Sequence, residues 1–285
     1  MLYLNSFTFP SADREFDFIM SVKRTCYDSF YPFKILSGHD LDRLDFDTVT
    51  ILYGGNGSGK STALNVIAEK TGLCRDSIYN KSNFFPDYVQ LCNMNAEEDI
   101  PKNSRIITSD DVFDYMLNIR NLNEGIDVKR ENLFDEYLDA KYSKFQMKSM
   151  DDYDQLKKVN SSRSKTQSRF VRNELIDNVR EYSNGESAFL YFTEKIGENG
   201  LYLLDEPENS LSPKRQMELM SLIEESARFF GCQFIISTHS PFLLAMCGAR
   251  IYNLDKDPVT IEHWTELENV RAYYDFFKTH EKEFL

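Results

Sequence analysis

Four short apolar runs punctuate the chain, and three of them end in residues suited to chemistry rather than to packing. Thr48–Tyr53 (TVTILY), Arg105–Thr108 (RIIT), Leu201–Leu204 (LYLL) and Cys232–Thr238 (CQFIIST) are rich in β-branched and large apolar residues and read as buried strands. Met1–Phe9, stopped by Pro10, and Tyr31–Leu36 read as two more, so residues before the first glycine cluster form a β-rich, antiparallel flank. Helical spacing fills much of the remainder. Ala63, Leu64, Ile67 and Ala68 make one face, closed by Gly72; Val112, Phe113, Met116 and Leu117 make another behind Ser109 or Asp110 as cap. A second helical stretch carries Leu133, Phe134, Tyr137, Leu138, Tyr142 and Phe145, and a third runs through Phe170, Leu175, Val179 and Tyr182. A helix opens near Ala188, and another runs from Ser212 and Pro213, as cap and first residue, to Gly231. Residues 73–104, with Pro86 and Pro101, hold no sustained period and read as an irregular excursion. After a short helix from Ser240-Pro241 to Gly248, Ala249–Leu254 and Val259–Trp264 pair around Asp255-Lys256-Asp257-Pro258, and a polar helical tail follows. Strands alternating with helices predict an α/β fold.

The chemistry gathers at the strand ends. Thr48–Tyr53 runs into GGNGSGKST, a phosphate-binding loop in which Gly54, Gly59, Lys60 and Ser61 fill the fixed places. Glycines let backbone N–H groups curl around phosphate oxygens, lysine reaches the β and γ phosphates, and the Ser61 hydroxyl ligates Mg2+. Gly55, Asn56, Gly57, Ser58 and Thr62 complete the cradle, and the helix behind adds its positive end. Leu201–Leu204 ends in Asp205, placed to hold Mg2+, and Glu206, placed to orient or deprotonate an attacking water. Cys232–Thr238 delivers His239 at the edge where open α/β sheets bind ligands, a position suited to sensing phosphate. The reading is an ATP site with Mg2+. Tyr27 and Tyr31 are candidates to stack on adenine, although core or surface packing is the commoner use of either ring.

Charge narrows the partners. The net charge of −13 provides no global basic footprint for nucleic acid. Within 141–172, however, nine Lys or Arg stand against three acids, a local basic lobe that could face phosphates of DNA or RNA or an acidic partner, although a solvated helical lobe with a flexible loop is the commoner use of such a stretch. Five cysteines without a close pair argue against disulfides and structural zinc, and hence for a reducing cytoplasm. No apolar run approaches the roughly 20 residues of a membrane span. A soluble cytoplasmic protein is expected.

In this order, GGNGSGKST, SNGES, LYLLDEPENSLS and STHS resemble the nucleotide-binding domain of the ABC-type ATPase superfamily. GLYLLDEPENSLSPKRQ, CQFIISTHSPFLLA and ARIYNLD are similar to small soluble bacterial ATPases related to the SMC and DNA-repair type; this likeness covers 200–285 and only loosely 73–180. The resemblance implies a P-loop NTPase fold forming a single ABC-type ATPase domain over 1–285. Its nucleotide-binding core would be 1–72 and 200–285, with an inserted helical lobe over about 109–190. It implies that Ser183 and Gly185 form a signature turn completing the ATP site of an opposite subunit. Asn209–Ser212, with Ser210, crosses the interface, and His239 is the switch histidine. The machine so implied is a head-to-tail homodimer around two ATP molecules, opened by hydrolysis.

The chain departs from the pattern at Asn184, Glu186 and Ser212. It also lacks an assignable Mg2+-sensing glutamine: Gln90 lies in irregular sequence, and the relevant strand ends in Thr108 followed by Ser109 and Asp110. The expected function is a clamp acting on DNA or a partner protein in genome maintenance or phage defence. About 120 residues between Thr62 and Ser183 are too few for long coiled-coil arms. The alternatives are an energy-coupling ATPase subunit of a membrane transporter, which the missing glutamine and altered signature disfavour, and a nucleotide-gated regulatory module with little turnover.

Overall fold

A computed structural model describes residues 2–23, 26–27, 29–144, 152–175 and 184–284. In chain order the elements are β1 (Leu4–Thr8), α1 (Ala12–Ser21), β2 (Arg43–Asp45), β3 (Val49–Tyr53), α2 (Lys60–Thr71), α3 (Phe85–Leu91), β4 (Asn93–Ala96), β5 (Arg105–Thr108) and α4 (Ser109–Tyr142). Then come α5 (Tyr153–Ser164), α6 (Gln167–Glu174), α7 (Asn184–Lys195), β6 (Leu201–Asp205), α8 (Pro213–Phe229), β7 (Gln233–Ser237), α9 (Pro241–Leu244), β8 (Arg250–Asn253), β9 (Thr260–Ile261) and α10 (Glu268–Thr279). They divide into two compact units, one of residues 1–113 with 184–285 and one of residues 114–183.

The larger unit is built on a sheet ordered β5-β6-β7-β3-β8-β9, parallel except for β9. β3 and β7 are buried along their whole length, which is why their apolar runs are continuous rather than alternating. Register aligns the carboxyl ends: Thr108 pairs with Asp205, Asp205 with Ser237, and Ser237 with Leu52. The chemistry-bearing residues that follow these strands therefore emerge at one edge. α2 ends as its sequence predicts, with Gly72 at φ 70 returning its N–H to Ala68 and Glu69.

The N-terminal flank is a second, antiparallel sheet ordered β2-β1-β4. Phe7, Leu44, Phe85 and Tyr88 share one apolar cluster with Leu52, Leu64, Leu203 and Ile235 of the nucleotide-side layers. Gln233 ties the two sheets. Fully buried, its Oε1 accepts from the N–H groups of Tyr3 and Leu4, both at 2.9 Å, while its Nε2 donates to the Leu4 carbonyl at 2.8 Å.

Several expectations change. Tyr31–Leu36 is a series of turns, not a strand; Pro32 has no N–H for a ladder, and Glu15 on α1 accepts from the Lys34 N–H and the Ser37 hydroxyl at 2.6 and 2.9 Å. Phe33 and Leu36 are buried by that turn just as a strand would have buried them. Residues 73–104 contain α3 and β4, short and partly polar, so their periodicity is too brief to register. The helix cap falls one residue earlier than expected: Thr108 gives its N–H and hydroxyl to Asp111 at 2.6 and 2.8 Å. The two helical stretches after it are one helix of 34 residues, whereas the helix after Ser240 stops at Leu244. The tail helix α10 forms as expected and carries, among its polar residues, the exposed aromatics Tyr273, Tyr274, Phe276 and Phe277.

The smaller unit comprises the distal part of α4 with α5 and α6, around Leu133, Tyr137, Phe170 and Val171. Tyr137 donates to the Lys165 carbonyl at 3.1 Å. Some of the basic residues serve this packing: Lys158 pairs with Glu136, Arg163 donates to the Ser143 carbonyl at 2.7 Å, and Lys141 donates to the Tyr137 hydroxyl at 2.9 Å. Phe145, Val179 and Tyr182 lie outside the described residues.

Replacing Gln233 with Leu keeps volume but leaves the buried N–H groups of Tyr3 and Leu4 without acceptors. Urea unfolding is expected to show a loss of about 3 kcal/mol, whereas a loss under about 1 kcal/mol would mean that the sheets do not depend on this clamp.

Candidate active site

The phosphate loop turns from β3 into α2 over Gly54–Thr62. Gly57 and Gly59 sit at φ 88 and 89, the left-handed region that side chains resist. Gly59 has a second reason to be glycine, because a Cβ there would stand 2.8 Å from Leu36 Cδ2. The turn around Tyr31–Leu36 therefore packs directly on the cradle. An open cleft of about 260 Å³ runs along it, lined by Asn56, Gly57, Lys60, Thr62 and Glu206, with Ile35 as its aliphatic wall.

Lys60 is buried, and its ammonium donates to the carbonyls of Gly54 at 2.6 Å and Gly55 at 2.9 Å. Burial pulls its pKa down, while Glu206, Asp205 and Asp255 pull the other way. Ser61 donates to Asp205 Oδ1 at 3.0 Å, and Ser237 also donates to that oxygen. Burial pushes the Asp205 carboxyl up, and these two hydroxyls oppose the shift. Ser61 and Asp205 present adjacent hard oxygen donors of the kind Mg2+ takes. Among the described residues there is no cluster of three or more His, Cys, Asp or Glu able to hold a metal. Ser58 adds a buried hydroxyl with no protein partner inside the cradle.

Glu206 begins the loop after β6 at φ 48, an uncommon conformation for a residue with a side chain. Its N–H is fixed by the Ser237 carbonyl at 3.0 Å, and its carboxylate accepts from Asn209 at 3.0 Å. Oε1 stands 3.6 Å from His239 Nε2. Glu208 was not singled out by sequence, yet its Oε1 accepts from the N–H groups of His239 at 2.6 Å and Ser240 at 3.1 Å. Burial pushes the Glu208 carboxyl up. Its only sequence signal is a third acid in DEPE. Asp255, read as a turn residue, accepts from the Gly55 N–H at 2.7 and 2.8 Å across 200 positions, a contact no local pattern announces.

The other candidates divide. Ser210 lies in the loop after Glu206 at φ 80, and a Cβ on Gly185 would stand 3.5 Å from the Ser210 carbonyl, so these two residues meet within the chain. Ser183 lies outside the described residues. The Tyr31 hydroxyl meets Thr62 at 3.2 Å, whereas Tyr27 packs edge-on against Phe84. At the end of β5, Ser109 opens α4, Asp110 is exposed, and Asp111 is the buried acid; Gln90 is exposed on α3.

The family described as "ABC transporter" matches residues 43–209, and that described as "AAA domain, putative AbiEii toxin, Type IV TA system" matches residues 178–245. No curated protein matches the chain. Among solved structures, a dimeric ATP-binding cassette in a post-hydrolysis state, bound to ADP and Pi, is similar at 17% identity over 78% of this chain and 88% of that one, with a TM-score of 0.37. An Smc head bound to the C-terminal winged-helix domain of ScpA is similar at 15% identity over 81% and 94%, with a TM-score of 0.41. An Smc head with an extended coiled coil, bound to the C-terminal domain of ScpA from Pyrococcus furiosus, gives 13% over 82% and 95%, at 0.39.

Burial and then Lys60 hold the His239 imidazole below its ordinary 6.5, against the opposing pull of Glu206 and Asp255. The unfolded chain thus takes the proton first, so the stability this residue contributes is present above pH 6.5 and lost as pH falls through the folded value. An NMR titration of the imidazole signal that vanishes in His239→Ala is expected to have its midpoint below 6.5; a midpoint at or above it contradicts this account.

Proposed function

The chain belongs to the ABC transporter family, matched over more than half its length, and from that premise we propose that it binds and hydrolyses MgATP as a homodimer closing around two nucleotides. One observation supports this most: Ser61, Asp205, Glu206 and His239 converge beside the phosphate loop from three separate segments. In this reading Gly54–Thr62 cradle the phosphates and Lys60 exchange its carbonyl partners for phosphate oxygens. Ser61 and Asp205 would hold Mg2+, which neutralises charge on the β and γ phosphates. Glu206 takes a proton from the attacking water, and a neutral His239 faces the terminal phosphate. Gly185 and Ser210, with Ser183, contribute to the partner's site.

The whole chain then acts as one ATPase domain, with 1–72 and 200–285 as its nucleotide core and about 109–190 as its lobe. The proposed work of the clamp is on DNA or a soluble effector protein in the cytoplasm. Exposed Lys157, Arg169 and Arg172 of the basic stretch support a polyanionic or acidic target. Among the described residues no helix is long and apolar enough to cross a membrane. A membrane partner is not part of the proposal.

Glu206→Gln is expected to bind ATP like wild type, to lose turnover on the order of 100-fold, and to accumulate as a dimer with MgATP in gel filtration. Lys60→Ala is expected to lose ATP binding, and with it both turnover and the MgATP-dependent dimer. Equal turnover by Glu206→Gln and wild type would remove the carboxylate from its assigned role. Recovery of DNA or a soluble protein on tagged Glu206→Gln, but not on Lys60→Ala, would support the clamp; recovery of an integral membrane protein would overturn it.

A further inference from the structure

The strand pair and helix that end the chain supply no residue of the phosphate loop, yet their groups reach its surroundings. Leu254 donates its N–H to the Tyr53 carbonyl at 2.8 Å, and Asp255 holds the Gly55 amide. Asn269, in the first turn of α10, donates its N–H to the Tyr53 hydroxyl at 3.3 Å and its side-chain Nδ2 to the His239 carbonyl at 2.8 Å. A carbonyl oxygen only accepts, so the nitrogen of the Asn269 amide is the atom that must face it. Buried Leu267 and Val270 on either side fix this turn to the unit.

From this geometry we propose that Asn269 is a positioning residue for His239, setting the direction of the imidazole from behind. The His239 N–H is held by Glu208 at 2.6 Å and its carbonyl by Asn269 at 2.8 Å, so side chains from two distant segments pin the peptide units on both sides of one Cα. With those planes fixed, only the side-chain torsions remain, and the Tyr53 ring borders them edge-on with a centroid distance of 6.3 Å. The margin is narrow. At 3.6 Å from Glu206, His239 Nε2 is just beyond hydrogen-bond reach, so a small rotation decides whether it meets that carboxylate or turns away. Displacement of a reacting group by about 1 Å can cost on the order of 100-fold in rate.

Only the kinetic part of the test rests on the proposed ATPase reading. Asn269→Ala removes the donor. Asn269→Asp keeps the size and suits a helix N-terminus, but an ionised carboxylate donates nothing and repels the carbonyl, so it serves if the alanine variant folds poorly. In protein carrying 13C-labelled histidine and no nucleotide, both variants are expected to shift and broaden the His239 imidazole signal while leaving those of His39, His263 and His280 in place. An unchanged His239 signal in a folded variant overturns the proposal.

With MgATP, the variants are expected to lose about tenfold in kcat at unchanged KM, because the phosphate loop is untouched. In a His239→Ala background, Asn269→Ala is expected to add no further loss. Full additivity of the two changes overturns the proposal, because a purely structural role would act independently of the imidazole. Absence of ATP turnover in wild-type protein would refute the hydrolytic reading, while the imidazole signal would still decide the positioning role.

Discussion

A half-buried carboxylate held between two hydroxyls organises this molecule. Asp205 accepts from Ser61, at the start of α2, and from Ser237, at the end of β7. Without such donors its charge would be costly to keep out of water. The bonds it makes join the phosphate loop to the two central strands at the level where all three end. The parallel order of the sheet delivers the groups to one edge; this carboxylate keeps them in register. Glu206 is held next to it through Ser237, and His239 follows Ser237 by two residues.

Acid chemistry surrounds that point. Glu206, Glu208 and Asp255 all act on the local electrostatics, and Lys60 feels each of them. A phosphate-binding site of this kind cannot rely on the field of the whole chain, whose net charge is −13. Its attraction for an anion must be local, made by backbone N–H groups and by Lys60, and on the function we propose by Mg2+ as well. The same acids serve as framework: Glu208 and Asp255 spend their oxygens on backbone amides rather than on ligand.

The phosphate loop, the acidic pair after β6 and the histidine after β7 were legible because each is a contiguous segment whose residue types are fixed by the chemistry. The parallel strands were legible because full burial writes itself as an unbroken apolar run. Other features depend on contacts through space. Tyr31–Leu36 has the apolar content of a strand, and apart from Pro32 the reason it turns lies in Glu15, a residue earlier in the chain that holds the Lys34 N–H. β4 is exposed at all four positions and owes its strand to pairing with β1, so it has no hydrophobic signature at all. Glu208, Asp255 and Asn269 look like ordinary loop and helix-start residues until the fold brings them to the P-loop and to His239. The aromatic character of α10 was in plain view, but its polar neighbours masked it.

The backbone of Glu206 carries a separate implication. At φ 48 a glycine would be the most comfortable occupant, since every side chain except that of glycine meets steric resistance there. Glycine would also abolish the carboxylate to which we assign the proton. Stability and chemistry therefore ask for different residues at this one position. On the function we propose, sequence drift toward a more relaxed fold would lead away from hydrolysis here, and a stabilised descendant of this chain that has changed Glu206 would retain the architecture without the proposed turnover.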